Sequence, residues 1–418
     1  MTTTAINRQR LLDRFLSYVS VDTAADPAAG PNQYPSSAGQ WELGRLLTQQ
    51  LTEMSADYPH QDDRGLVWAT VPATDGGQGP AVALIAHLDT SPEAPSHNVQ
   101  PQVIQHYEGG DIRLPSGQVI RVDQTPELKH LVGSTLITTD GNTLLGGDDK
   151  AGVAIIMELA HHLLENPHLV HGPVRILFTC DEEIGRGTDY IDLDKLNAVV
   201  GYTLDGGDAG QLDVETFSAD AASVILRGHN IHPAIAKGRM INAVRAAADF
   251  LAGLPMRESP ETTEDRQGFI HPYNISGGVG EAKVELILRS FETPELQRYA
   301  EVIRQCAQQT QQKFPGLEVE VNVRRQYRNL AEGLEKLPEA AALAEQAYQN
   351  LGHSCQRTIV RGGTDGSQLT EKGLPTPNLS SGQHNIHAVH EFACLDQMVA
   401  ATEHLVELLR LWSERGRS

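Results

Sequence analysis

Apolar, strand-like runs in this chain stop repeatedly at short acidic or histidine clusters, and this recurrence limits the fold more than any other feature. Five clusters stand out: His87-Leu88-Asp89, Gly147-Asp148-Asp149-Lys150, Asp181-Glu182-Glu183, Leu204-Asp205-Gly206, and His387 with His390-Glu391. Four of them sit where such a run ends. Runs such as Ala81–Ala86 and Val174–Phe178 have the unbroken apolar character of strands buried on both faces of a parallel sheet. Binding sites of open α/β sheets lie outside the carboxyl ends of their strands, and carboxylates gathered there are costly to bury unpaired. A counter-ion is needed, and no basic cluster supplies one. Oxygen and imidazole donors without thiolate suit zinc, manganese or cobalt.

With 418 residues the chain is expected to form two or three domains, and its 40% hydrophobic content supports real cores. A formal charge of -21 argues against nucleic acid and anionic membranes as main partners. The four cysteines, Cys180, Cys306, Cys355 and Cys394, are scattered, which argues against a disulfide framework or a thiolate zinc site. The N-terminal stretch Asn7–Phe15 reads as a charged amphipathic helix rather than a signal peptide, and no apolar run reaches membrane-spanning length. A soluble, cytoplasmic protein is expected.

Helices are predicted over 6–20 and 37–54, the second capped by Ser36 or Ser37. Residues 91–133, rich in Pro, Gly, Gln and His, read as an insertion. The stretch Leu136–Leu145, with Asp140-Gly141 at its centre, has the signature of a tight hairpin leading to Asp148. Strands and helices then alternate to Asp205. From about residue 216 the order becomes β-α-β-β-α-β, ending in the alternating strand Leu317–Val323, as in a ferredoxin-like domain. Residues 331–418 return to helix–strand alternation. The expected architecture is an α/β domain in two parts, 1–215 and 331–418, interrupted by a lid domain over 216–330.

Each cluster alone has an ordinary explanation. His87 and Asp89 lie two apart on one strand face, placed for an Asp-oriented metal ligand or for a core salt pair. Asp148 follows two glycines and opens a helix, which fits a ligand held by flexible backbone and equally a simple cap. Glu182 and Glu183 diverge as neighbours, so one carboxylate can bind a cation while the other stays free as a base. A solvated turn fits poorly straight after Ile176-Leu177-Phe178. Asp205 is otherwise a turn aspartate. His384, His387 and His390 mean little singly among 17 histidines.

In this order and spacing, the clusters resemble the peptidase T family, the tripeptide aminopeptidases among the di-zinc metallopeptidases that include carboxypeptidase G and succinyl-diaminopimelate desuccinylase. Further matches are Ser36-Ser37-Ala38-Gly39-Gln40-Trp41, Tyr107–Ile112, Thr138–Gly141, Asn242-Ala243, Arg361–Gly366 and His390-Glu391-Phe392, so the likeness runs nearly end to end. It implies two zinc ions per subunit bridged by Asp148, with His87 and Asp205 on one and Glu183 and His387 on the other. His387 is chosen over His390 because it stands four residues before Glu391. Glu182 would be the general base, Asp89 the carboxylate orienting His87, and the Asp148–Asp149 peptide cis. His232, Asn242, Arg289 and Asp365 would contact substrate, Arg289 through a bidentate grip on a peptide carboxylate. The implied reaction is release of the N-terminal residue from tripeptides by a Glu-assisted water attack. A related di-zinc dipeptidase, carboxypeptidase or N-acyl-amino-acid deacylase is the alternative, and a non-catalytic metal- or peptide-binding module a remote one. The implied partner is a small peptide, and a homodimer is allowed. Two departures from the family, Ala234-Ile235 after His232-Pro233 and the stretch His384–Ala388, bear on substrate preference rather than metal binding.

Overall fold

A computed structural model describes residues 5–74 and 78–415. The chain divides into two compact units, the first comprising Met1–Val214, Gly333–Thr358 and Thr364–Ser418, the second Glu215–Glu332 with Ile359–Gly363.

The first unit is organised by a mixed sheet. Its strands lie in the order Asp57–Gln61, Val67–Val71, Val174–Thr179, Val82–His87, Val200–Gly206, Asn378–Ser380, Gln211–Thr216, Gln356–Val360. The four inner strands are parallel. Every residue of Val82–His87 is buried, as its unbroken apolar run requires. Register places His87 beside Thr179 and Gly206 beside Ser380, so the carboxyl ends of these strands share one edge. Three helices position that edge and its surroundings: α1 (Arg8–Val19), α2 (Ala38–Glu53) and α3 (Gly147–Glu165). Helix α3 is buried almost all round, and the fully buried Glu158 on it receives Arg10 at 2.8 Å and Arg14 at 2.7 Å, locking α1 against it. Asp148 and Asp149, joined by a cis peptide, depart from helical dihedrals, so the regular helix starts beyond them.

The insertion 91–133 has its own small core. Short strands at Ile112–Arg113 and Val119–Ile120 pair, and Tyr107, Leu114, Leu128 and Leu131 pack with Phe392 and Cys394. The expected hairpin over Leu136–Leu145 does not form. Leu136–Thr138 pairs instead with Gln102–Ile104 and Phe392–Cys394. The N–H groups that a hairpin would have needed go elsewhere, Leu144 to the Pro95 carbonyl and Leu145 to Glu391. Long-range acceptors outcompete the local turn.

The second unit carries strands Ser218–Arg227, Phe269–Gly277, Glu281–Ser290 and Glu318–Tyr327, with helices Ala243–Gly253 and Thr293–Lys313 between them. The sheet is antiparallel, with Phe269–Gly277 and Glu318–Tyr327 at its edges and Glu281–Ser290 beside Ser218–Arg227 within. Val224, Leu226, Val284, Leu286 and Leu288 face Phe250, Leu296 and Ile303 of the helices, forming one apolar core. Chain order and sheet order together are those of a ferredoxin-like fold.

Candidate metal centre

The edge where the parallel strands end gathers the acidic clusters. His87 closes one strand, Asp205 lies at the end of the next, and Glu182 and Glu183 follow a third through a left-handed residue, Asp181, at φ 62°. Asp148 arrives from the start of α3. His87 Nε2 lies 2.8 Å from Asp148 Oδ1 and 3.9 Å from Asp205 Oδ1. His387 Nε2 lies 3.3 Å from Asp148 Oδ2 and 3.0 Å from Glu183 Oε2. Asp148 therefore turns one oxygen to each histidine. His390 lines a cleft with Arg121, Thr125 and Ile386, while His384 is buried and stacked on Phe392.

Each of these side chains is aimed by another group. His87 Nδ1 meets the Asp89 backbone carbonyl at 3.0 Å, with the Asp89 carboxylate 3.5 Å away. That carboxylate accepts the N–H groups of Glu182 and Glu183, each at 3.0 Å, so Asp89 grips the acidic turn as directly as it backs the histidine. Glu391 accepts the N–H groups of Leu145, Gly146 and Asp148 at 2.7–3.1 Å, and Gln383 donates to Asp205 Oδ1 at 3.1 Å. Asp149 is occupied by the N–H groups of His87 and Gly152, at 3.1 and 3.3 Å. His387 Nδ1 faces Glu93 at 3.2 Å. In the sequence Glu391 serves only as a marker for His387, and neither Gln383 nor Glu93 stands out. Their partners lie between 178 and 294 positions away, beyond the reach of a local motif.

The electrostatics are those of a site with surplus negative charge. Burial raises the Glu182 carboxyl well above its ordinary range, with Asp365, Asp205 and Glu183 adding to it against the pull of His87. Burial likewise raises Glu183 and Asp205. It would raise Asp148 too, but hydrogen bonds from His387 and His87 hold that carboxyl low. Hydrogen bonds to Asp148 and Glu183 push His387 up to about 11. Burial opposes charge on His87, yet its bonds to Asp148 and Asp89 raise it. A divalent cation offers the same compensation to the carboxylates.

The residues fit such a cation. His87, Asp148 and Glu183 each offer a ligand atom within 4.8 Å of the other two, as do His87, Asp149 and Asp205. Glu183 Oε1 is buried without a hydrogen-bond partner, a donor atom waiting for an electrophile. The Glu182 carboxylate accepts no hydrogen bond among the described residues, so its lone pairs remain available.

The other expected site residues have partners of their own. Asp365, expected at the substrate, is 3% exposed and accepts a hydrogen bond from Thr179 at 2.7 Å. It backs the acidic turn closely: a Cβ on Gly187 would fall 2.0 Å from its Oδ1. His232, Asn242 and Arg289 belong to the second unit. Asn242 caps the helix Ala243–Gly253, and His232 Nδ1 accepts from the Ala234 N–H at 3.2 Å. Arg289 reaches Gln326 and the Leu288 carbonyl, both at 3.0 Å, over the Tyr327 ring.

Comparison with known proteins gives a consistent picture. The model of peptidase family M20/M25/M40 matches residues 137–411. Peptidase T of Geobacillus kaustophilus is 41% identical over 411 residues, covering 98% of this chain and 100% of the relative. The aminopeptidase PepT of Bacillus cereus superposes with a TM-score of 0.75 at 23% identity, over 97% of this chain and 99% of that one. A tripeptidase of Staphylococcus aureus gives 0.77 at 22% identity, over 98% and 100%. These two structures speak for the fold. No helix among the described residues is long and apolar enough to cross a membrane.

Proposed function

This chain belongs to peptidase family M20/M25/M40 and, within it, to the peptidase T group, and from that premise we propose that it is a metal-dependent aminopeptidase that releases the N-terminal residue from tripeptides. The observation that carries the proposal is the Asp148 carboxylate, one oxygen toward each of two histidines, beside the half-buried, unbonded carboxylate of Glu182.

His87, Asp148 and Asp205 would hold one zinc ion, and Asp148, Glu183 and His387 a second. When bound, such cations supply Lewis-acid polarisation of the peptide carbonyl and acidify water. Glu182 then takes a proton from the attacking water and returns it to the departing amine. Its raised affinity for protons, set first by burial, suits both halves of that task. Asp89 holds the Glu182–Glu183 backbone and supports His87, while Asp365 and Thr179 back the same turn. On the second unit, proposed as a lid over 216–330, Arg289 would take the peptide carboxylate, with His232 and Asn242 as further substrate contacts. The net charge of -21 supports a soluble, cytoplasmic enzyme of small peptides rather than a binder of nucleic acid or membranes, and a homodimer is compatible with it.

The reading is tested with free, N-acetylated and C-amidated tripeptides, beside a matched dipeptide and tetrapeptide. Release of the first residue from the free tripeptide alone is expected. Cleavage restricted to the acetylated peptides would replace aminopeptidase by deacylase. Zinc binding with no hydrolysis of any of them would leave a non-catalytic module.

A further inference from the structure

The Ser36–Gln40 stretch does not act as its sequence suggests. Ser37, not Ser36, is the cap residue of α2, and it makes no capping hydrogen bond with its side chain. Ser36 and Gln40 are enclosed and turn instead to Asp181, the residue immediately before Glu182. Ser36 donates its N–H to both oxygens of Asp181, at 3.0 and 2.8 Å, and its hydroxyl to Oδ1 at 2.5 Å. Gln40 donates to Oδ1 at 2.7 Å and accepts the Asp181 N–H at 3.0 Å. The next layer is also tied: Tyr34 donates its hydroxyl to the Cys180 carbonyl at 3.0 Å, and the Arg186 N–H returns to the Asp181 carbonyl at 2.9 Å.

We infer that Asp181, clamped by Ser36 and Gln40, is a positioning residue that aims Glu182 at the reacting water. The inference rests on the aminopeptidase reading above. Its physical basis is the state of the Glu182 carboxylate, which accepts no hydrogen bond among the described residues. A general base must keep its lone pairs free, so its aim has to be set through its own backbone. That backbone is gripped from two sides, by Asp89 on the amides of Glu182 and Glu183 and by the clamp on the residue before them. Asp181 holds a left-handed conformation, which costs a residue with a side chain more than glycine, although aspartate tolerates it better than most. Glycine would relieve that cost but could not accept the Ser36 and Gln40 donors. An aspartate there is explained by the clamp.

The test uses full-length protein, first confirmed to cleave trialanine and to lose that activity in Glu182→Ala. Gln40→Ala and Asp181→Asn are each expected to lower kcat about 30-fold or more, with KM changed less than about threefold and metal content equal to wild type. In Asp181→Asn the new amide nitrogen meets a donor in either orientation, the Ser36 N–H in one and the Gln40 amide in the other. The double variant Asp181→Asn/Gln40→Glu restores donor to acceptor, so kcat should return to within about fivefold of wild type. Ser36→Ala, which removes one donor and leaves the backbone N–H in place, should give an intermediate loss. Hydrogen exchange of the peptide spanning 180–188 should quicken in the single variants and recover in the double. The inference is overturned if the folded, metal-replete single variants keep kcat within threefold, or if the double variant is no better than the worse single. It is also overturned if the loss appears in KM or in metal content instead. Any of these results with Glu182→Ala inactive leaves the aminopeptidase reading standing, whereas wild type that fails to cleave trialanine removes that reading first.

Discussion

The two sides of the candidate metal centre are built differently. Around His87 everything is interior: the ring is 3% exposed, its Nδ1 rests on a backbone carbonyl, and Gln383 steadies Asp205 from behind. Around His387 the site opens. That residue sits at a positive φ of 61° in a loop, and its Nδ1 faces Glu93, whose side chain is 70% exposed. Orientation by a buried carbonyl is fixed by the fold, whereas an exposed carboxylate is solvated and contributes little. A cation on the His87 side should therefore be held more tightly than one on the His387 side. Asp148 belongs to both.

The largest effect is expected where the two sides meet. Asp148→Ala should reduce bound metal to below half an equivalent and tripeptide hydrolysis to under about a thousandth of wild type. Retained metal in that variant, measured by elemental analysis, would show that Asp148 does not join the sides. Glu182→Ala belongs to neither side and should lower kcat by about 10²- to 10⁴-fold with metal content unchanged.

Smaller changes separate the sides themselves. His387→Ala should leave close to one equivalent of tightly held metal, while His87→Ala should remove the tighter site and disturb the other, as read by competition with a chelator. Among the supporting groups, Asp89→Asn should weaken metal binding about 10- to 100-fold, the usual scale for a group that orients a ligand. Glu93→Gln should weaken it by less than about threefold. Equal losses from these last two would erase the asymmetry.

The smallest effect at the centre comes from a residue outside it. His404 is buried against Tyr348, and its Nε2 faces the Ala344 carbonyl at 2.8 Å rather than a carboxylate. Burial lowers its pKa from 6.5 to about 4. Because the folded protein binds that proton less readily than the unfolded chain, the stability it permits is full above pH 6.5 and is lost as pH falls toward 4. The loss should amount to roughly 3 kcal/mol over that window. His404→Gln should flatten the acid dependence of Tm while leaving metal content on both sides unchanged.

Much of this organisation is legible in the sequence because its signals are local. The run Val82–Ala86 can hardly be other than a buried strand, and the alternation in Glu318–Val323 announces a strand with one covered face. The acidic turns stand out because carboxylates follow apolar runs directly. What stays hidden depends on partners distant in sequence. Leu136–Leu145 has the turn residues of a hairpin, but Glu391 and Pro95 compete for its N–H groups from outside the segment. Ser36 and Gln40 have the look of a helix start, and only the fold brings Asp181 to them across some 140 positions. The resemblance implies a substrate contact for Asp365, and only the fold shows that its carboxylate is enclosed and takes the Thr179 hydroxyl. Arg289 is visible as a cation near the end of a strand, but its neighbours do not reveal that it turns to Gln326.

The most direct test is a zinc titration of metal-stripped protein, following bound metal and release of the first residue of trialanine in the same samples. Two binding steps of unequal affinity are expected, the tighter one lost in His87→Ala, the weaker one in His387→Ala, with hydrolysis that depends on added metal. Full hydrolysis by the stripped protein, or two equal steps unaffected by either histidine, would contradict the asymmetric two-cation centre.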